Sequence, residues 1–185
     1  MTQQILDDAE HRMQVTCEVL DRELAGIRTG RASPTLIEEL RVEYYGTPTP
    51  LKQLATITAP EPRLLVVQPY DRSATTAIER AILQTDLGLS PVADGQLLRI
   101  PIPQMTEERR KEMSRLVRSK SEDERVAIRN VRRDAMDHLR RLQRDKDISE
   151  DEEHRAADQL QKITDRYTGR VDEMGAAKEA AVMEV

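Results

Sequence analysis

The chain has 185 residues, of which 34% are charged and 38% hydrophobic, whereas only 2% are aromatic and neither Phe nor Trp occurs. This composition is typical of long charged helices with aliphatic cores, and it argues against modules that stack single-stranded nucleic acid on aromatic platforms. The formal net charge of −5 excludes a generally basic protein, so any anion-binding surface has to be local.

Residues 3–28 predict a first long amphipathic helix. Apolar side chains recur there every three or four positions and therefore share one helical face. They are Leu6, Ala9, Met13, Cys17, Leu20, Leu24 and Ile27. Cys17 is the only cysteine, which excludes a disulfide within the chain, and its place on the apolar face predicts a buried structural thiol. Gly30, Ser33 and Pro34 end the helical pattern.

Residues 31–104 predict a separate, small α+β unit. The hydrophobic period changes to two and the prolines cluster in this part of the chain. Strands are predicted at 40–44, 54–58, 64–68 and 97–102, a helix at 73–85, and turns at 46–50 and 94–95. About 70 residues are enough for an independent domain.

Two more long helices are predicted after this unit. Thr106 is expected to cap the first, because Glu107 and Glu108 follow in the first turn, where the helix dipole favours acids. A run of ~40 residues would reach about 60 Å. Ser149 and Glu152 predict a capping box for the last helix. The apolar stripe of that helix comprises Ala156, Leu160, Ile163, Tyr167, Val171, Met174 and Ala181.

None of the three long helices can bury its apolar stripe alone, and a bundle assembled from both ends of the chain solves this problem. We therefore predict an α+β protein of two domains, an elongated three-helix bundle split by an inserted small, β-rich α+β domain. Residues 1–29 and 105–185 form the predicted bundle and 30–104 the insert. The connecting segments near 29–34 and 103–106 favour a bend and are candidate hinges.

The helix around residues 125–141 has two opposed faces at about 100° per residue. Its predicted apolar face consists of Ala127, Ile128, Val131, Ala135, His138 and Leu142. The other face gathers Arg125, Arg129, Arg132, Arg133 and Arg140, and Lys111, Arg115 and Arg118 extend it. Guanidinium groups grip phosphate oxygens in pairs, so this stripe favours a long, regularly spaced anion. A merely solvated helix face is the alternative, although few acids stand at i, i+4 positions to neutralise the stripe.

Signatures of catalysis and metal binding are missing from the sequence. It contains no glycine-rich phosphate loop, no nucleophile elbow and no metal-ligand spacing, and its three histidines lie far apart. We therefore expect no enzymatic activity, no metal and no cofactor. No apolar run approaches the ~20 residues of a membrane span, and the first residues lack the pattern of a signal peptide. The sequence thus predicts a cytoplasmic protein.

Five long blocks of the chain resemble bacterial ribosome recycling factors. They read IRTGRASP at 27–34, VEYYGTPTPLKQLA at 42–55, DLGLSP at 86–91, TEERRKEM at 106–113 and VAIRNVRRDA at 126–135. The resemblance implies the same split bundle with a hinged insert. It also implies a factor that binds the post-termination ribosome and, with elongation factor G and GTP, splits the subunits and releases them from mRNA and deacylated tRNA. The implied partners are elongation factor G and the ribosomal RNA of the large subunit at the tRNA sites, with neither DNA nor a membrane, and the chain is expected to be a monomer.

The matching motifs also imply which residues act. The rRNA-binding candidates are Arg132, Arg129, Arg133, Arg110, Arg28 and Arg31. The hinge candidates are Thr29, Gly30, Ala32, Ser33, Pro34, Pro103 and Gln104. Without aromatic platforms, such a surface is expected to contact the RNA backbone and shape rather than the bases. Two alternatives stay open, a coiled-coil-like scaffold whose arginine face binds an acidic protein and a general RNA chaperone.

Overall fold

The computed structural model describes residues 1–184. The helices in this range are α1 (Thr2–Ala25), α2 (Leu51–Leu54), α3 (Thr75–Leu83), α4 (Glu107–Arg144) and α5 (Glu150–Met183). The strands are β1 (Arg41–Tyr44), β2 (Thr47–Pro50), β3 (Ala55–Glu61), β4 (Leu64–Pro69), β5 (Val92–Asp94) and β6 (Leu97–Pro101). Three long helices together with a small antiparallel sheet confirm the predicted α+β class.

The chain divides into two compact units. The helical unit consists of Met1–Thr29 and the chain from Glu107 onward, and the mixed unit is Gly30–Thr106. Met105 and Thr106, assigned to the bundle in the sequence analysis, belong to the mixed unit by this division.

In the helical unit, α1, α4 and α5 pack against one another in all three pairs. The seven predicted apolar positions of the first helix, from Leu6 to Ile27, are all buried. A hydrogen bond from Arg12 to Asp134 at 3.1 Å and an ion pair between Lys120 and Glu23 at 3.2 Å fix α1 antiparallel to α4. Burial of these shared stripes, rather than helix propensity, stabilises helices of this length.

The ends of α4 and α5 follow from local sequence. α4 begins with Glu107 and Glu108 in its first turn, and its 38 residues span about 57 Å. At α5, the Ser149 hydroxyl accepts a hydrogen bond from the backbone N–H of Glu152, and the Glu152 carboxylate accepts one from the backbone N–H of Ser149. The predicted capping box is therefore confirmed.

The predicted apolar face of α4 is wrong at one position. His138 is exposed, whereas Leu139, which the prediction left out, is fully buried together with Ile128. At 100° per residue, position 139 lies about 20° from Ile128 around the helix, whereas position 138 lies about 80° from it on the other side. The leucine faces the core because its burial removes more apolar surface from water and leaves the imidazole solvated.

The mixed unit contains a four-stranded antiparallel sheet with strand order β3-β4-β6-β5, and β1 and β2 form a separate hairpin. One face of the sheet and α3 enclose an aliphatic core. Its fully buried large side chains are Ile37, Leu51, Leu65, Ile78, Ile82, Leu98 and Ile100. The alternation of buried Leu65 and Val67 with more exposed neighbours in β4 is the period of two expected for a strand.

Two strands of the mixed unit were not predicted. The predicted turn at 46–50 is mostly strand β2, and β5 was not anticipated at all. The actual turn is only Tyr45 and Gly46, with φ of 48° and 76°, and such a left-handed pair closes a two-residue hairpin. Pro48 is tolerated because the hairpin has a free edge that requires no N–H donor there.

No helix within residues 1–184 combines the length and the apolar character needed to cross a membrane. In the same range, no cluster of three or more His, Cys, Asp or Glu side chains is arranged to hold a metal ion.

Candidate nucleic-acid interface

Four arginines of α4 line one open groove on the outside of this helix. They are Arg129, Arg132, Arg133 and Arg140. We call this feature the arginine groove; its volume is about 450 Å³. Asn130 and Asp137 lie among the arginines, and Val126 and Met136 supply the apolar part of the surface. The lining residues fall between positions 126 and 140, which is about 21 Å of helix.

Helical periodicity explains why these side chains meet. Positions 129, 133, 136 and 140 follow one another at spacings of three or four and therefore share one side of the helix. Ile128, Ala135 and Leu139 lie on the other side, buried in the core of the helical unit. The same helix thus packs with one face and exposes its arginines with the other.

Three of the groove arginines have local partners. Arg129 donates to a carboxylate oxygen of Glu122 at 2.6 Å, and Arg133 donates to the side-chain oxygen of Asn130 at 3.1 Å. Arg140 lies 3.8 Å from Asp137. The hydrogen bonds from Arg129 and then Arg125 hold the pKa of Glu122 below its ordinary value. Acidic partners therefore do exist, at spacings of three and seven rather than four.

Arg132 differs from the other groove arginines. Its side chain is exposed, and within residues 1–184 its guanidinium makes no hydrogen bond or ion pair. Asp165 is the carboxylate of α5 expected opposite it from the spacing of the α4–α5 ion pairs, but Asp165 instead accepts a hydrogen bond from the Gln161 amide at 2.7 Å. Arg132 therefore presents a full positive charge to solvent.

The arginine stripe predicted from the sequence is shorter on the outer surface than expected. Arg118 forms an ion pair with Glu179 of α5, and Arg125 forms one with Asp172 of α5 at 2.6 Å. These two arginines are spaced by seven residues and join α4 to the antiparallel α5. They therefore contribute to the packing of the bundle more than to an outer anion-binding surface.

The structure brings together only three of the six candidate RNA-binding arginines, namely Arg129, Arg132 and Arg133. Arg110 lies in the first turns of α4, about 33 Å along the helix from Arg132, and its Nε atom is buried without a partner in the described part of the chain. Arg28 is half-buried beyond the end of α1, and Arg31 is exposed in the mixed unit.

The hinge candidates on the first connection divide into two groups. The Ala32 N–H donates to the carbonyl oxygen of Pro62 at 2.7 Å, and Pro34 opens a short 3₁₀ helix. Ser33 lies in hydrogen-bonding distance of Thr35, at 2.8 Å. These residues are thus tied into the mixed unit.

Thr29 and Gly30 precede this anchored segment. Gly30 has a φ of 74°, a left-handed conformation that favours glycine. On the return connection, Pro103 and Gln104 are exposed and lie in the stretch between β6 and α4. Irregular backbone thus occurs on both connections, at Thr29–Gly30 and at Pro103–Gln104.

Sequence reasoning missed four members of the groove, namely Val126, Asn130, Met136 and Asp137. Val126 is 43% exposed and Met136 is half-buried, and both lie among the arginines. The helical period contained the signal, because residue 136 lies three positions from Arg133 and residue 126 three positions from Arg129. The predicted stripe was defined by positive charge alone, so side chains without a positive charge were left out of it.

Comparison with known proteins gives one consistent result. The family described as "Ribosome recycling factor" matches residues 20–183. The ribosome-recycling factor of Thermomicrobium roseum is 55% identical, and that of Roseiflexus castenholzii is 54% identical, each over the whole of both chains.

Solved structures agree with this assignment. A solution structure of a ribosome recycling factor superposes with a TM-score of 0.78 at 43% identity, covering 100% of this chain and 98% of the other. The T. thermophilus ribosome recycling factor, described with E. coli elongation factor G bound to the E. coli post-termination complex, matches with a TM-score of 0.68 at 48% identity over the full length of both chains. The chain belongs to the ribosome recycling factor family.

Proposed function

We propose that this protein recycles ribosomes after translation termination. It binds the post-termination ribosome through the helical unit, with the arginine groove against ribosomal RNA of the large subunit. Together with elongation factor G and GTP, it separates the subunits and so releases them from mRNA and deacylated tRNA. The observation that carries the proposal is an exposed arginine groove in a chain that belongs to the ribosome recycling factor family.

The charge distribution supports binding to RNA. The protein carries a net charge of −5, yet four arginines converge on one groove of α4. Phosphates are attracted to the groove and repelled by the acidic remainder, which restricts the ways in which RNA can dock. Arg132 has no carboxylate partner that a phosphate would have to displace. We therefore place it at the centre of the contact, with Arg129 and Arg133 beside it.

We infer different roles for the two units. The helical unit supplies the RNA-binding surface, and Arg110 and Arg28 extend that surface toward the start of α4. The mixed unit carries Arg31 as a further RNA contact, moves on the connections around Gly30 and Gln104, and meets elongation factor G. The related factor described with elongation factor G on the post-termination complex supports this partner. GTP hydrolysis takes place on that partner, so this protein contributes binding and geometry as a non-enzymatic monomer in the cytoplasm.

Co-sedimentation distinguishes this function from its two alternatives. The protein is sedimented in sucrose gradients with large ribosomal subunits, with naked ribosomal RNA, or with an acidic test protein. We expect it to comigrate with large subunits far more strongly than with the other two. Equal binding to naked RNA would favour an RNA chaperone, and binding to the acidic protein would favour a scaffold.

A second measurement tests the reaction itself. Post-termination ribosomes are mixed with the protein, elongation factor G and GTP, and the appearance of free subunits is followed by light scattering. We expect splitting only when all three components are present. Splitting at the same rate without the protein, or without GTP, would contradict the proposed function.

A further inference from the structure

Aromatic side chains are rare in this protein, and the exposed ones belong to the mixed unit. Of the four tyrosines, Tyr167 is buried in α5, whereas Tyr45 is 81% exposed and Tyr70 is 69% exposed. Tyrosine is enriched among the few residues that dominate the affinity of protein–protein interfaces, because it combines a large apolar ring with a polar tip. Tyr45 and Tyr70 are therefore candidates for contact with a partner protein.

The turn that carries Tyr45 is one that tyrosine does not favour. Tyr45 and Gly46 close the hairpin of β1 and β2 with φ of 48° and 76°, and Asn or Gly is the usual residue at the first of these positions. A bulky side chain in the left-handed region is uncommon, and such residues are concentrated at functional sites. Asn would close the hairpin at least as well, so the local fold does not explain a tyrosine here.

Neighbouring side chains hold the Tyr45 ring in place. It packs edge-to-face on the ring of Tyr44, with 4.6 Å between the ring centroids and an angle of 74° between the planes. Tyr44 packs against the core of the mixed unit and donates its hydroxyl to an Asp71 carboxylate oxygen at 2.8 Å. Hydrogen bonds from Ser73 and then Tyr44 keep the pKa of Asp71 below its ordinary value, so this acceptor stays ionised. A ring held in this way loses little conformational entropy when a partner binds it.

Asp71 also connects the hairpin to the second exposed ring. Tyr70 precedes Asp71 in the chain, and the Tyr70 hydroxyl accepts a hydrogen bond from the Thr56 hydroxyl at 3.4 Å. Tyr44, Tyr45 and Tyr70 are thus linked through one carboxylate. We call these three residues the tyrosine surface.

The charges beside the tyrosine surface favour a protein partner over RNA. Within two residues of Tyr45 and Tyr70, the sequence has two carboxylates, Glu43 and Asp71, and one cation, Arg72. This excess of negative charge repels phosphates and attracts a protein surface that has basic groups around an apolar pocket.

We propose that the tyrosine surface is where the mixed unit binds elongation factor G, with the Tyr45 ring in an apolar pocket of that partner and basic groups of the partner beside Glu43 and Asp71. This inference rests on the proposed function, which assigns elongation factor G to the mixed unit without assigning a surface. Tyr45 anchors the contact, and Tyr70 enlarges it.

The test variant is Tyr45→Asn, which removes the ring and introduces a residue that the turn accepts readily. Its melting temperature should equal or exceed that of the unchanged protein. Leu83→Gln is the matched control, because Leu83 is a 57% exposed apolar residue at the end of α3, outside the tyrosine surface.

Subunit splitting is measured at increasing concentrations of elongation factor G. We expect Tyr45→Asn to raise the concentration needed for half-maximal splitting about tenfold or more, as for the loss of an interface anchor. The splitting rate at saturating elongation factor G and the affinity for large subunits should stay unchanged. Leu83→Gln should behave like the unchanged protein in all three measurements.

Photochemical cross-linking identifies the occupant. Tyr45 is replaced by the photoreactive amino acid p-benzoylphenylalanine, and the protein is irradiated on post-termination ribosomes with elongation factor G and a non-hydrolysable GTP analogue. Cross-links to elongation factor G are expected from position 45 and not from position 83. Cross-links mainly to ribosomal RNA or to a ribosomal protein would contradict the assigned partner.

Two further results would overturn the inference while leaving the proposed function intact. One is an unchanged requirement for elongation factor G in Tyr45→Asn, and the other is a lower splitting rate that saturating elongation factor G does not restore. If Tyr45→Asn lowers the melting temperature, Tyr70→Ser replaces it in the same assay with the same expectations. If the unchanged protein does not split ribosomes with elongation factor G and GTP, the proposed function fails, and this inference fails with it.

Discussion

Among single residues, Arg132 offers the clearest test of electrostatic binding. Its guanidinium is exposed and has no partner in the described chain, so no nearby acid weakens its attraction for a phosphate. We expect Arg132→Ala to weaken binding to large subunits by about thirtyfold or more, since a lost charge pair of this kind costs about 2–5 kcal/mol. The melting temperature should barely change, because surface substitutions usually stay within about 0.5 kcal/mol.

The matched control for Arg132 is Arg141→Ala. Arg141 is exposed on the same helix but is not part of the arginine groove. It should affect binding much less. Equal losses for the two variants, measured by filter binding or gradient sedimentation at physiological salt, would show that only the overall charge of α4 matters.

Glu122 competes with RNA for one groove arginine. Its carboxylate accepts a hydrogen bond from Arg129 at 2.6 Å, and that contact keeps its pKa low, so it stays ionised at neutral pH. Removing the charge frees Arg129 and removes a repulsive group near the groove. We expect Glu122→Gln to bind large subunits about twofold to fivefold more tightly at low salt, with a steeper salt dependence.

Asp123→Asn is the control for this prediction. It also removes one negative charge, at the next position of α4, where the side chain is exposed and belongs to no groove contact. Affinity should change little. If Asp123→Asn tightened binding as much as Glu122→Gln, net charge rather than competition for Arg129 would be the cause.

Glu124 should make stability depend on pH in the opposite sense to a salt-bridged acid. Burial raises its pKa, and the nearby carboxylates of Glu23 and Asp123 raise it further, against a smaller opposing effect of Lys120. The folded protein thus holds this proton more tightly than the unfolded chain does. The stabilising effect is complete below the unfolded carboxyl pKa of about 4.3 and is lost as pH rises through the higher folded value.

Glu124→Gln should therefore melt at a higher temperature than the unchanged protein at pH 7, and the difference should disappear near pH 4. Thermal unfolding followed by circular dichroism at both pH values measures this. Glu173→Gln, at an exposed position of α5, should show no such difference. A lower melting temperature for Glu124→Gln at pH 7 would mean that the electrostatic attraction of Glu124 to Lys120 outweighs the cost of its burial.

The sequence predicted which side of α4 these arginines occupy, but it did not predict which acids they pair with. Helical periodicity placed Arg129, Arg132 and Arg133 on one side of a helix, as the structure has them. It could not show that Arg118 and Arg125 pair with Glu179 and Asp172, because those contacts depend on the register between two helices distant in sequence. That register therefore determines which arginines remain without an acidic partner and can bind an anionic ligand.

Among the helices, α4 and α5 lie close together where Gly175 faces Ser121. A Cβ atom at position 175 would lie 2.6 Å from the Ser121 hydroxyl oxygen, which is buried and has no hydrogen-bond partner in the described chain. On a free helix, Gly→Ala would stabilise by about 1 kcal/mol. Here the steric cost of roughly 1–3 kcal/mol dominates, so Gly175→Ala should lower the free energy of unfolding.

A double-mutant cycle tests this contact. Ser121→Ala removes the clashing oxygen and a buried hydroxyl without a partner, so it should stabilise the protein by itself. Gly175→Ala in the Ser121→Ala background should lose most of its cost. Strictly additive effects in urea unfolding would show that the two positions do not share a contact.

The sequence predicted best those elements whose signals are local. The capping box needs only Ser149 and Glu152, and the stripe of α1 needs only its own spacing. Strands β2 and β5 were missed because their few residues carry little periodicity and are fixed by pairing with β1 and β6. Leu139, by contrast, was predictable from the sequence, because at 100° per residue it lies beside Ile128, whereas His138 lies at the edge of the stripe.

For the whole molecule, the question is whether the two units fold independently. The buried core of the mixed unit is drawn from residues between Ile37 and Ile102. The helical unit buries its own apolar stripes along α1, α4 and α5, each Leu or Ile contributing roughly 1.5–3 kcal/mol. Each unit has a core of its own, so we expect separate folding rather than one shared transition.

A shortened chain in which a glycine linker joins Arg28 to Thr106 tests this expectation. It keeps all three long helices and the arginine groove, and we expect a helix-rich circular dichroism spectrum with a cooperative thermal melt. It should bind large ribosomal subunits with nearly the affinity of the full chain, because the groove belongs to the helical unit. It should not split post-termination ribosomes with elongation factor G and GTP, because the mixed unit is missing. A chain that does not melt cooperatively would show that the helices need the mixed unit to fold, and full splitting activity would show that the mixed unit has no part in the reaction.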